Sequence, residues 1–104
     1  MARFDVYRNA NKATREAFPY LLDVQADLFS GLQSHVVVPL MRAATVRTPL
    51  ARLSPAFVIE GKPVLMATTD MAGIPISALG EPVTNLADKR VEIVGAIDFL
   101  LTGA

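Results

Sequence analysis

The chain of 104 residues has no cysteine, no tryptophan and a single histidine, His35. Without cysteine there is no disulfide framework and no thiolate chemistry, which fits a reducing cytoplasm. One histidine with no carboxylate cluster at ligand spacing does not make a zinc site. No metal is therefore expected, and His35 reads as a surface or strand-edge residue. A serine-histidine-aspartate relay would have to run through the same His35, and no strained, glycine-flanked serine accompanies it. Asp23 and Asp27 stand four apart in an extended segment, about 13 Å from each other, and read as strand-end and turn carboxylates rather than as an acid/base pair. No glycine-rich phosphate loop is present, so no cofactor is expected and the inventory for an enzyme is missing. Net charge is missing too. Ten basic and ten acidic residues cancel, leaving no overall field for direct nucleic-acid binding, which depends on phosphate neutralisation. The most apolar stretch, Val91 to Leu101, contains Glu92 and Asp98 and is shorter than the roughly 20 residues of a membrane-spanning helix. The opening MARFDVYRNANK has no apolar core of signal-peptide length. The expectation is a soluble, cytoplasmic protein that is not an enzyme and does not contact a membrane.

Apolar material, by contrast, is plentiful. Hydrophobic residues make up 52% of the chain and mean hydropathy is +0.38. A single domain over residues 1–104 buries only about two-thirds of its unfolded surface, so the excess predicts a second buried surface, most simply a homodimer contact. Phe4 to Tyr7 alternates like a first strand, and Asn9 to Glu16 reads as an exposed loop. A second strand falls in Pro19 to Ala26. Val36 to Val38 is a β-branched run, closed by Pro39, of the kind buried on both faces. Arg42 to Ser54 reads as a connection. Phe57 to Ile59 and Val64 to Ala67, joined through Glu60-Gly61-Lys62-Pro63, predict a hairpin. Ile74 to Leu79 predicts a short strand ended by Gly80-Glu81-Pro82. Leu86, Ile93, Ile97 and Leu100 then recur at helical spacing, with Asn85 as cap and Asp88 in the first turn. The class is mainly β with one C-terminal α-helix, a small antiparallel β-barrel or curved sheet with the helix packed against it. From Ile93 onward that helix is apolar on both faces apart from Asp98, with a flat Gly95-Ala96 spot. One face can pack on the sheet and the other predicts an interface, placing Ile93, Ile97, Leu100 and Leu101 at the dimer contact.

Three separated stretches, DVQADL (Asp23 to Leu28), VVVPL (Val36 to Leu40) and TTDMAGIPI (Thr68 to Ile76), together with the terminal EIVGAIDFLLTGA, resemble the CcdB family of toxins in order and spacing. The resemblance implies the CcdB/MazF-type fold and a homodimer whose terminal helices lie side by side. It implies a toxin of a type II toxin–antitoxin system that binds and poisons the A subunit of DNA gyrase without catalysis and is neutralised by a CcdA-like antitoxin. Carried over residue by residue, the gyrase-binding positions are Ala26, Leu28, Phe29, Asp98, Thr102, Gly103 and Ala104. The family's terminal Trp-Gly-Ile keeps only its glycine here, an asparagine one turn earlier is Asp98, and Ala26 stands in place of serine. Arg42, Arg47 and Arg52, with Thr45 and Thr48, form the only basic, hydroxyl-bearing stretch. It is open to three readings: a solvated loop, an antitoxin contact, or the groove of a MazF-like endoribonuclease. The alternatives in function are that ribonuclease and a CcdB-fold homologue with a lost or changed target.

Overall fold

The computed structural model describes residues 1–45 and 52–103. Among these, β1 (Asp5–Asn9), β2 (Tyr20–Asp23), β3 (Ser34–Arg42), β4 (Ala56–Ile59), β5 (Lys62–Met66), β6 (Ala72–Pro75) and β7 (Leu79–Asn85) precede one helix, α1 (Arg90–Thr102). All pairings are antiparallel, in the order β4-β5-β3-β2-β1-β7, with β6 on the free side of β3. The sheet curls into a half-barrel. Alternation assigns its two faces. Val6, Leu22, Val38, Leu40, Ile59, Val64 and Met66 point into the core, where Ile93 and Ala96 of α1 meet them. Tyr7, Leu21 and Val37 point the other way and are buried as well. This is why Val37 and Val38 are both apolar, whereas Val36, predicted to be buried with them, is exposed because it lies near the start of β3, short of the core. Residues 10–17 form an exposed loop, whereas Asn9, predicted to open it, ends β1 and is buried. No helix of the described residues is long and apolar enough to cross a membrane.

Prolines mislead the sequence reading twice. Pro39 does not close β3, which continues to Arg42. Along one side of β3, residues 34–37 pair with β6 and residues 40–42 with β5. Pro39 sits where the partner changes, and its carbonyl accepts the Ala67 N–H at 2.9 Å. In a strand the nitrogen of a residue lies on the same side as its carbonyl, so the missing donor falls in a gap of the ladder. Likewise, Gly80-Glu81-Pro82 does not end the seventh strand but lies inside it. As an edge strand bonded only to β1, with register shifts beside the Tyr7–Pro82 pair, β7 tolerates a residue without a donor. Gly80 is required there for another reason, because a Cβ would stand 2.7 Å from the Arg8 carbonyl oxygen.

The β4–β5 hairpin is shorter at its tip than predicted. Only Glu60 and Gly61 form the turn, at φ +53° and +76°, a pair of positive values that matches the right-handed twist of the strands. Glu60 is held in this costly conformation by its own side chain. It accepts two hydrogen bonds from the Arg8 guanidinium, at 2.8 and 2.7 Å, and one from the Tyr20 hydroxyl at 2.6 Å. Arg8 also donates from Nε to Glu81 at 2.6 Å, so the hairpin tip is tethered to β1 and β7. The Arg8 hydrogen bonds, then that of Tyr20, bring the Glu60 carboxyl from 4.5 down to about 2. A folded-state value below the unfolded one gives stability that is present above 4.5 and lost as pH falls toward about 2. The thermal midpoint should therefore drop across that window, and Glu60→Gln should flatten the drop. An unchanged acid profile in the variant would contradict the tether.

Helix α1 begins one turn later than predicted. Asn85 Oδ1 accepts the Ala87 N–H at 2.8 Å, one residue before the Leu86 cap position of the 3-10 turn Ala87–Lys89 that leads into α1. The helix ends at Gly103, whose φ of +74° lets its N–H reach the Phe99 carbonyl at 2.8 Å. Ile93 and Ala96 are the residues it buries, and Val94, Ile97, Phe99 and Leu100 are half-buried. Ile93, predicted at the dimer contact, is wholly enclosed in the core of its own protomer and has no area left to offer a partner. The exposed face is Val91, Glu92, Gly95, Asp98, Leu101 and Thr102, more polar than the sequence reading implied.

Candidate functional site

The DVQADL stretch folds into a framed turn between β2 and β3. Its alternation separates two tasks. Val24 enters the core, while the polar residues on either side anchor the chain. Asp23 Oδ2 lies 2.7 Å from His35 Nδ1, and its Oδ1 accepts the Gln25 N–H at 3.0 Å. The Gln25 amide donates to the Phe29 carbonyl at 2.8 Å and accepts from the Val36 N–H at 3.1 Å. Asp27 Oδ1 accepts the Arg3 N–H at 2.7 Å. Ala26 precedes the 3-10 turn Asp27–Phe29, and its carbonyl accepts the Phe29 N–H at 2.9 Å.

What this frame presents to solvent is apolar. Leu28 is 84% exposed and Phe29 51%, with Leu32 beside them also exposed. Each such side chain forgoes about 1.5–3 kcal/mol that burial would provide. Three of them stand within five residues, on a turn held by the polar contacts of Asp23, Gln25 and Asp27. The sequence reading found Leu28 and Phe29 but missed His35 as a member of the site. That ring is not at the surface; it and Asp23 are both 2% exposed, and its Nε2 lies 2.9 Å from the Ser30 carbonyl. The partners are 12 residues apart in sequence and meet only through the β2–β3 register.

The other predicted contact positions lie on a different element. Asp98, Thr102 and Gly103 are exposed at the end of α1, where Thr102 Oγ1 donates to the Asp98 carbonyl at 2.7 Å. The helix-terminating φ of Gly103 gives that glycine a local structural task. Ala104 and Arg47 lie outside the described residues. The remaining two arginines do not share a patch. Arg42 donates to the Glu16 carbonyl at 3.1 Å and lines a cleft of about 310 Å³ with Arg8, Arg15, Lys62 and Tyr20. Arg52 stacks on the Phe99 ring at 4.3 Å and borders a separate hollow of about 230 Å³ with Val91 and Gly95. Among the described residues no three His, Cys, Asp or Glu side chains come together as metal ligands.

The profile of the CcdB family, described as CcdB protein, matches residues 3–103, and the chain belongs to that family. Membership places it among the toxins of toxin–antitoxin pairs. Its fold is also that of solved structures with little sequence likeness. An endoribonuclease in complex with its cognate antitoxin, from a Mycobacterial species, superposes at TM-score 0.76 and 18% identity, covering 97% of this chain and 94% of that one. The Mycobacterium tuberculosis toxin MazF-mt6 superposes at TM-score 0.73 and 17% identity, covering 93% of this chain and 95% of that one.

Proposed function

We propose that this protein is a non-catalytic toxin that acts as a homodimer on the A subunit of DNA gyrase and is neutralised by a cognate antitoxin. The observation that carries the reading is the rigidly framed, exposed Leu28–Phe29 tip at the family's gyrase-contact position. Tight contacts depend on such apolar anchors entering a pocket on the partner. Ala26 supports the turn, and Asp98, Thr102, Gly103 and Ala104 complete the contact from the helix end. Thr102 replaces a large aromatic, so the tip carries more of the binding here than in a tryptophan-ended relative. The dimer forms through the exposed face of α1 around Val91, Gly95 and Leu101, with Ile97 and Leu100 at its margin. The antitoxin approaches the Arg42 cleft, whose cations suit an acidic segment.

A second reading rests on the same cleft, since the structural neighbours are endoribonucleases and Arg15, Arg42 and Lys62 would hold a phosphate backbone. Expression in a sensitive host separates the two. Gyrase poisoning predicts a DNA-damage response with bulk RNA intact. Rapid RNA fragmentation that disappears in Arg42→Ala would replace this reading with the nuclease.

A further inference from the structure

We propose that His35 is the positioning residue of the Leu28–Phe29 tip, an imidazolium sealed beneath the turn that ties the Ser30 carbonyl to the Asp23 carboxylate. The functional consequence rests on the gyrase reading above; the clamp itself does not.

His35 Nδ1 faces Asp23 Oδ2 at 2.7 Å, and Nε2 faces the Ser30 carbonyl at 2.9 Å. A carbonyl and a carboxylate can only accept, whereas a neutral imidazole has one donor and one lone pair. In the neutral ring, one of the two contacts would set lone pair against lone pair at hydrogen-bond distance. Both contacts are satisfied when the pair holds one proton more than a neutral ring and a carboxylate. The clamp therefore has both ring nitrogens donating, one to each acceptor. Asp23 is prepared as the counter-charge, because its other oxygen already accepts the Gln25 N–H at 3.0 Å. Tyr7 on β1 feels the Asp23 carboxylate. Its hydroxyl is pushed up to about 12 by burial, by Asp5 and by Asp23.

The position of the clamp gives it its task. Asp23 ends β2, His35 lies near the start of β3, and Ser30 directly follows Phe29. One side chain therefore closes the base of the connection that carries the tip. Together, His35 and Gln25 grip the consecutive carbonyls of Ser30 and Phe29. A buried ion pair contributes little net stability over a well-packed apolar replacement; what it supplies here is a fixed direction for Leu28 and Phe29. Fixing an apolar tip before it meets its partner avoids the ordering cost on binding.

Two measurements test this. In wild-type protein labelled with nitrogen-15, both His35 ring nitrogens should carry a slowly exchanging proton hydrogen-bonded to Asp23 and Ser30; a ring with one bare nitrogen would overturn the clamp. The double variant Asp23→Leu/His35→Leu removes both charges and leaves neither buried alone. It should fold, yet amide exchange at residues 28–32 should accelerate at least about tenfold while the strands keep their protection. Its binding to a gyrase A fragment should weaken by about tenfold. Tip exchange equal to wild type in the double variant would show the pair to be merely structural. If the wild type itself fails to bind gyrase while the tip still loosens, the gyrase reading falls and the clamp stands.

Discussion

Replacing Leu28 and Phe29 together by serine is expected to weaken binding to the gyrase A fragment at least about a hundredfold, with no loss of fold. Both side chains are mostly solvent-exposed in the free protein, so their removal costs the protomer less than about 0.5 kcal/mol. On binding, each would bury apolar surface worth about 1.5–3 kcal/mol, and every 1.4 kcal/mol is about a tenfold change in affinity. Calorimetric affinity, read beside the thermal midpoint, separates the effects. A variant that binds as wild type does would show that the tip is not the anchor. A variant with a collapsed midpoint would show that the exposed side chains are doing structural work that the geometry does not assign to them.

The helix yields the second large effect, and it divides by face. Ile93→Ala should destabilise the protein by about 2–5 kcal/mol, because the side chain is fully enclosed where α1 meets the sheet and its loss leaves a cavity. Leu101→Lys should leave the protomer's fold intact, since Leu101 is 68% exposed. It should instead prevent the proposed dimer from forming, as desolvating an unpaired ammonium costs several kcal/mol. Chemical denaturation reports the first variant and light scattering the second. A Leu101→Lys protein that keeps a dimer's mass would move the subunit contact away from this helix.

The contrast between these two residues shows where sequence was informative. The periodicity of Leu86, Ile93, Ile97 and Leu100 announces a helix, and the β-rich runs around Gly61 announce a hairpin, because both signals are local. Which helix face meets the sheet depends on the angle at which α1 crosses it, and nothing in the run Ile93 to Leu101 encodes that angle when apolar residues occur all round. Prolines 39 and 82, lacking a donor, look in the sequence like strand ends. In the fold those donors are not needed, since one faces a break between β5 and β6 and the other lies on an edge strand with shifted register. The candidate site was half legible. Leu28 and Phe29 follow from the family motif, whereas the polar frame beneath them rests on pairs such as Asp23–His35, Arg3–Asp27 and Gln25–Val36. These pairs are 11 to 24 residues apart and meet only once β1, β2 and β3 are in register.

The most direct test of the central claim is a calorimetric titration of the wild-type protein into the dimerisation fragment of the gyrase A subunit. Saturable binding that disappears when Leu28 and Phe29 are both serine is the predicted result. Absence of any binding by the wild type, together with cleavage of RNA by the same preparation, would contradict it.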